Sequence, residues 1–532
     1  MKVRWMLLFF WTIFHGILPG QSSSYQIKLE PLEVDQITGL QSYAVGTYDG
    51  LWIVMGGRRD GLHARQPFAS FHPEGNHREI LLIDPRKKKS EAVSIAPLDG
   101  ILRDQLSSTN MSFYQKDSLL FIAGGYGYSE VYNEWITYPM LTVVDLSLLT
   151  RLVAKKEDIS SAFAVFESEE MAVAGGRMHL IDSLFYLVGG HRFIGRYNPM
   201  GPDHGPGFSQ EYTYEVRRFV FNFFGDKPIK FLPSFRDERH LRRRDYNLVP
   251  SVHGGVHDLI VFSGVFQKEV DLPWLYPVVI NQNGIEEKTD FKQHFNHYHC
   301  PTLPIYDSSV DEMHHLFFGG IAQYYQEGDY VVQDNDVPFV KTITDVVRTE
   351  EGFEEIVLSS EMPLLLGAGA EFILNEEAPQ YTDGILDGDL LEANYTLAGY
   401  VYGGIRSKEK NVFWSDPETE SMASSKIYKV WIKKATKVQP AFSSIEESSL
   451  QFYTFPAQKI VRMIVEADSS TKIDFKIFDL EGNPIYITPV TQNLKKGPNV
   501  IIWQDVPTQY GSYLYIVNIN GQLIKRIVSW SE

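Results

Sequence analysis

Six times along this chain an apolar run ends in a glycine pair or near-pair. The runs are LWIVMGG (51–57), LLFIAGG (119–125), LFYLVGG (184–190), LIVFSG (259–264), HLFFGG (315–320) and GYVYGG (399–404). A strand precedes each run: SYAVGTY (42–48), NMSFYQ (110–115), GRMHLI (176–181), NLVPSVH (247–253), HCPTLPIY (299–306) and GAGAEFIL (367–374). A third strand follows after a loop: EILLID (79–84), MLTVVDL (140–146), VRRFVFNF (216–223), YPVVIN (276–281), KTITDVVR (341–348) and KIYKVWIKK (426–434). These segments are rich in β-branched and aromatic residues and are bounded by Gly, Pro, Asn and Asp. Weaker fourth strands are read at RLVA (151–154), IKFL (229–232) and EEIVL (354–358).

The second glycines, Gly57, Gly125, Gly190, Gly264, Gly320 and Gly404, lie 68, 65, 74, 56 and 84 residues apart. Each interval holds a four-stranded unit and long loops, and such recurrence is the mark of a β-propeller. Glycine suits the end of the second strand because it accepts positive φ and brings no Cβ where sheets crowd. The last unit shows no fourth strand after Lys434, while IKLEPLE (27–33) is spare. Pairing the two would close the ring and remove an exposed sheet edge. The expectation is an all-β chain with a six-bladed propeller over residues 25–440.

These repeats resemble the kelch family, whose units also run hydrophobic residues into Gly-Gly ahead of an aromatic-bearing strand. The resemblance covers about 400 residues and specifies fold more than function. The fourth unit departs from it with Ser263-Gly264, and the usual later aromatics appear only in places, as at Trp135 and Trp431. The units also exceed the ~50 residues typical of kelch.

A second domain is expected over 445–532. In KIDFKIFD (472–479), Ile473, Phe475 and Ile477 share one face. A turn follows at Glu481-Gly482-Asn483, and further strands are VIIW (500–503), SYLYIVNI (512–519) and LIKRIV (523–528), the last two joined by the hairpin signal Asn520-Gly521. Short strands at this density imply a small β-sandwich. FKIFDLEGNPI (475–485) and YGSYLYIVNINGQLIKRIV (510–528) resemble the type A C-terminal sorting domain of the type IX secretion system. That family usually opens on Pro-Asn-Pro, where this chain has FYTFPAQ (452–458). The resemblance implies an address for export across a bacterial outer membrane, with the type IX machinery as partner.

The N-terminus agrees with export. Lys2 and Arg4 precede an apolar stretch from Trp5 to Leu18 and then small residues, the order of a signal peptide over 1–24. No later stretch is long enough for a spanning helix, so a secreted or cell-surface protein is expected. Cys300 is the only cysteine among 532 residues, so stability must come from packing and not disulfides. The formal charge of −18 argues against nucleic acid as partner.

Candidate chemistry lies on one set of loops. After the glycine pairs come Arg58 and Arg59, Tyr126 and Tyr128, His191 and Arg192, Gln323 and Tyr324, and Arg406. Entering the first strands are Arg243, Arg244, Asp245 and Tyr246, then His297, Tyr298 and His299. Both sets fall on the same face of a four-stranded blade, and arginine with tyrosine is the composition of binding hot spots. His297 and His299 alternate, so on a strand they would point to one side, as two metal ligands would, but no third ligand follows from the sequence. The acidic stretches 329–336 and 383–392 do not fit an EF-hand loop. No nucleophile elbow, phosphate-binding glycine loop or zinc-protease motif is present, so neither cofactor nor metal is expected.

Two relatives on kelch propellers bear on this. Copper oxidases such as galactose oxidase would need a Cys–Tyr cross-link, for which Cys300 has no matching tyrosine motif. The member that interconverts sialic acid anomers works from an Arg-lined pocket without cofactors. The leading expectation is binding of a glycan or protein partner on the Arg/Tyr/His face. The alternatives are a cofactor-independent carbohydrate epimerase or mutarotase, with Arg59, Arg192, Arg244, Asp245 and Glu371 as first suspects, or a purely structural surface component.

Overall fold

The computed structural model describes residues 23–435 except 64–69, 199–207, 328–329 and 413–419, together with most strands between 451 and 530. The signal-like segment before residue 23 and the two turns at 481–483 and 520–521 lie outside the described residues. The chain is mostly strand and forms two compact units, one holding 25–327 and 332–434, the other built from 435–532.

In the first unit, six sheets follow one another in chain order, each built on four antiparallel strands. The fifth also carries Ile385–Asp387, parallel to Thr302–Asp307, and Gln380–Thr382, and the sixth also carries Ser421–Ala423. The first is Ala44–Tyr48, Leu51–Met55, Glu79–Asp84 and Lys89–Ser94, each strand pairing with the next. The other five begin at Ser112–Lys116, Arg177–Ile181, Asn247–His253, Thr302–Asp307 and Leu366–Leu374. The sixth takes its outer strand from the N-terminus: Tyr25–Leu32 pairs with Ile427–Lys434, in register from Tyr25 opposite Lys434 to Leu32 opposite Ile427.

Why the second strands read as continuous apolar runs follows from their neighbours. In Leu51–Met55, Ile53 and Met55 pack with Leu120 and Ile122 of the second sheet, whereas Trp52 and Val54 pack with Ile373 and Tyr402 of the sixth. In the second sheet, Phe121 and Ala123 turn instead to Phe185 and Leu187 of the third. Further clusters join the third sheet to the fourth, the fourth to the fifth and the fifth to the sixth. Each fully buried side chain of this kind contributes about 1.5–3 kcal/mol.

Two sets of backbone hydrogen bonds tie the sheets together. The N–H of the second glycine of each pair donates to a carbonyl just before, or at the first residue of, the next sheet's first strand. These bonds run Gly57 to Ser108, Gly125 to Val173, Gly190 to Arg243, Gly264 to His297, Gly320 to Leu366 and Gly404 to Leu40, at 2.8–3.3 Å. The second set links the entry segments themselves. Asn110 N–H donates to Ser42 (3.1 Å), Gly175 to Asn110 (3.0 Å), Asp245 to Gly175 (2.7 Å), His299 to Asp245 (2.9 Å), Gly369 to His299 (2.9 Å) and Ser42 to Gly369 (2.7 Å). That circuit of six bonds, one residue per sheet, returns to its starting residue.

The glycine pairs are what this contact demands. Gly124 has φ +68°, and a Cβ placed there would lie 1.9 Å from the Val173 carbonyl. Ser263 stands where the other units have their first glycine. It keeps the positive φ (53°), and its hydroxyl lies within hydrogen-bond distance of the Trp274 and His297 carbonyls (2.7 and 3.0 Å).

One expected strand is a helix. RLVA lies in Leu146–Lys155, which Asp145 caps by accepting from the Leu148 N–H, and whose buried face is Leu146, Leu149, Leu152 and Val153. That spacing is helical. The second sheet's outer strand is Phe163–Glu167 instead.

The second unit holds a three-stranded sheet (Gln451–Phe455, Ile460–Ala467, Gly497–Trp503) and a five-stranded one centred on Thr471–Phe478 and Gly511–Ile519. Ile473, Phe475 and Ile477 are all buried, as their alternation requires. The last two strands pair from Gly511 opposite Trp530 to Ile519 opposite Gln522.

Candidate functional site

Where the six entry segments meet, their side chains form a compact charged set. Arg177, at the start of the third sheet, lies 3.1 Å from the Glu371 carboxylate of the sixth. His299, before the fifth, places Nε2 at 3.2 Å from the same oxygen. Burial raises the Glu371 pKa, but Arg177 and His299 outweigh it and hold the carboxyl below its ordinary range. Burial and then Arg177 push the His299 pKa down, against Glu371, which raises it. Beside them Arg244 pairs with Asp245, and Asn110 Nδ2 lies 3.4 Å from Asp245 Oδ1. Burial works against the Arg244 charge, yet Asp245 outweighs burial and keeps the guanidinium firmly protonated. The phenol of Tyr298 is raised well above its usual value by burial and then by the Asp245 charge. The cavity among these residues is only about 10 Å³, room for at most about one water.

The rim has a different construction. The long connections after the second and third glycine pairs make a four-stranded sheet of their own: Tyr126–Ser129, Glu134–Thr137, His191–Ile194 and Ser209–Tyr212. An aromatic cluster of Tyr126, Phe193, Phe71, Trp135, Tyr197 and Phe208 packs against it. Next to this sheet a groove of about 560 Å³ is lined by Arg192, Tyr212, Tyr214, Arg217, Arg236 and Arg242 with glutamates between them. Arg242 sits over the Tyr212 ring at 4.1 Å.

No family model matches the chain, and no curated protein matches it. Among solved structures it is similar to one titled "Structure of YjhT", with a TM-score of 0.40 and 10% identity, over 74% of this chain and 95% of that one. At that level the likeness carries no argument about chemistry, which rests on the residues themselves.

Several residues expected on the open face belong to the framework. Arg58 is buried and held by Asp60, Asn76 and the His72 carbonyl. Arg243 is buried between Trp274 and Tyr276, donates to the Ser263, Tyr276 and His240 carbonyls, and has its pKa lowered to about 10 by burial. The Tyr246 hydroxyl, also buried, bonds the Val188 carbonyl and the Arg177 N–H. Tyr126 does the same for Gly195 and Tyr197 (2.9 Å each). Buried Gln323 bonds Asn335, and buried His191 meets Gln210 at 3.0 Å.

His297 and His299 do not point one way. Residues 297–301 precede the strand, which begins at Thr302. His297 donates from Nε2 to the Gln293 carbonyl (2.8 Å) and accepts the Gln323 N–H at Nδ1 (2.9 Å), which leaves neither nitrogen for a metal. Among the described residues no group of His, Cys, Asp and Glu is placed to hold a metal ion. Cys300 is buried, its thiol pushed up to about 12 by burial, 3.7 Å from the Asn247 amide.

Of the remaining expected residues, Arg244, Asp245 and Tyr298 come together at the centre and Arg192 reaches the groove. Arg59 is exposed, whereas Tyr128, Tyr324 and Arg406 are half-buried; Tyr128 packs on Trp135 and Tyr324 meets His294 edge-on. The residues that sequence reasoning missed are Arg177 at the centre and Tyr212, Tyr214, Arg217, Arg236 and Arg242 in the groove. Alternation in Leu241-Arg242-Arg243-Arg244 was the available signal, since Leu241 and Arg243 are buried while Arg242 and Arg244 are not.

Proposed function

We propose that the first unit is a six-bladed kelch-type β-propeller that acts by binding a glycan or protein partner on its rim, and that the second is a β-sandwich sorting domain of the type IX kind. The circuit of six backbone bonds that returns to its first residue supports the ring. The sorting role and the secreted or surface location rest on the sequence resemblance and the signal-like N-terminus. Among the described residues, no helix is long and apolar enough to cross a membrane.

One contrast favours binding over turnover. The acid–base groups at the centre satisfy one another around a cavity of about 10 Å³, whereas the rim groove of about 560 Å³ falls within the ~300–1,000 Å³ of ordinary ligand sites. An epimerase or mutarotase would use Glu371 and His299 as proton carriers, and it would need a substrate berth beside them. The test is binding of the full chain to arrayed glycans and candidate surface proteins, beside an Arg192→Ala, Arg242→Ala double variant of unchanged melting temperature. Selective binding lost in the variant is the expected result. A wild type that binds nothing but turns over a sugar would replace the proposal with the catalytic one.

A further inference from the structure

The rim groove carries more information than the presence of arginine. Its lining mixes four guanidinium groups, Arg192, Arg217, Arg236 and Arg242, with three carboxylates, Glu169, Glu211 and Glu215. Arg192 lies 2.7 Å from Glu169, and Glu215 is shared by Arg217 (3.3 Å) and Arg236 (3.1 Å). Glu211 is exposed and stands opposite Arg192 across two paired strands.

That arrangement discriminates among ligand charges. To reach Arg192, Arg217 or Arg236 a carboxylate or phosphate would have to displace Glu169 or Glu215, and it would approach Glu211. Only Arg242, which donates to the Phe266 and Gln267 carbonyls, is without a carboxylate among the described residues. A cation would meet four guanidinium groups. A hydroxyl both donates and accepts, so a vicinal pair of hydroxyls can bridge a guanidinium and a carboxylate without breaking the pair. Donors remain available: of the nitrogens of half-buried Arg242, only Nη1 has hydrogen-bond partners among the described residues, the Phe266 and Gln267 carbonyls. Flat apolar surface is present too. Tyr212 and Tyr214 stand nearly parallel (29°, centroids 6.1 Å apart), with Arg242 over the first at 4.1 Å and Arg236 over the second at 5.9 Å. Rings and guanidinium groups held in place before a ligand arrives lose little freedom on binding.

We propose that the groove is a subsite for a neutral, polyhydroxylated ligand, a hexose-type glycan whose hydroxyls bridge the Arg–Glu pairs and whose C–H face lies on tyrosine. This rests on the reading of the rim as a binding face, and the test separates the two. The full chain is applied to an array of neutral and acidic glycans at low and high salt, and the best neutral hit is titrated against Arg192→Ala and Glu211→Gln. Glu211 is exposed, so its variant leaves folding untouched. The expected result is neutral-glycan binding that is indifferent to salt and about tenfold weaker in each variant. Preference for acidic glycans with salt-sensitive affinity overturns the ligand class. Neutral-glycan binding unchanged in both variants overturns the site. Absence of binding to any glycan overturns the glycan reading of the rim itself.

Discussion

At the scale of single residues, the glycine pairs carry the fold because two constraints coincide there: a positive φ, and a neighbouring carbonyl where a side chain would be. The two can be separated by mutation. Gly124→Ala meets both, with φ +68° and a Val173 oxygen at 1.9 Å from the new Cβ, whereas Gly254→Ala meets only the first, with φ +56° and nothing within 4 Å. The left-handed conformation alone costs about 1–2 kcal/mol. Chemical denaturation is therefore expected to show a loss of about 1 kcal/mol for Gly254→Ala and of about 3 kcal/mol or more for Gly124→Ala. Equal losses would mean that the close approach between sheets does not exist. The pairs were legible in the sequence because the same demand recurs six times at the end of the same strand. Arg243 and Tyr246 are expected on the face because they lie in the connection entering the fourth sheet's first strand, on the side of the segments that follow the glycine pairs. What places them inside is a set of carbonyls at Ser263, Tyr276 and Val188, distant in sequence.

At the scale of elements, the N-terminal strand closes the sixth sheet, and a buried polar cluster fastens it. The Tyr25 hydroxyl donates to Asp307 (2.5 Å), Lys434 Nζ reaches the same carboxylate (2.5 Å), and the Tyr25 ring lies edge-on to His314 at 4.8 Å. His314 is buried, with Nδ1 at 2.8 Å from Asp345. Burial works against its charge, but Asp345, followed by Glu312 and Asp307, outweighs burial and lifts the pKa from 6.5 to about 10. A cation whose folded pKa is raised stabilises the fold fully below its unfolded pKa, and that contribution is lost as pH rises through the folded value. His314→Gln is therefore expected to cost about 3 kcal/mol near pH 6. The gap from wild type should shrink between pH 6.5 and about 10. Melting curves of both proteins across that range measure it, and a gap that widens with pH would contradict the protonated assignment. The closing strand was readable from an arithmetic of unpaired strands. The helix Leu146–Lys155 was not, because four residues, RLVA, are too few to tell a period of 2 from one of 3.6.

At the scale of the whole molecule, the sheets of the first unit carry two polar regions of different construction: a centre whose charged groups pair with one another around a cavity of about 10 Å³, and a groove of about 560 Å³, which we propose takes the ligand. The loops expected from the sequence include Arg192 but not the rest of the groove. Tyr212 comes from the far end of the connection after the third glycine pair, Arg217 and Arg236 from strands of the third sheet, and Glu169 and Arg242 from the segments before and after that sheet. The most direct test is to measure stability and ligand affinity together in Glu371→Gln and in Arg192→Ala, Arg242→Ala. Glu371→Gln leaves half-buried Arg177 without its carboxylate, so it should lower stability by about 1–2 kcal/mol and leave affinity unchanged. The double arginine variant should lose affinity and keep its stability. Loss of ligand binding or of a measurable turnover in Glu371→Gln at unchanged stability would contradict the account and move the function to the centre.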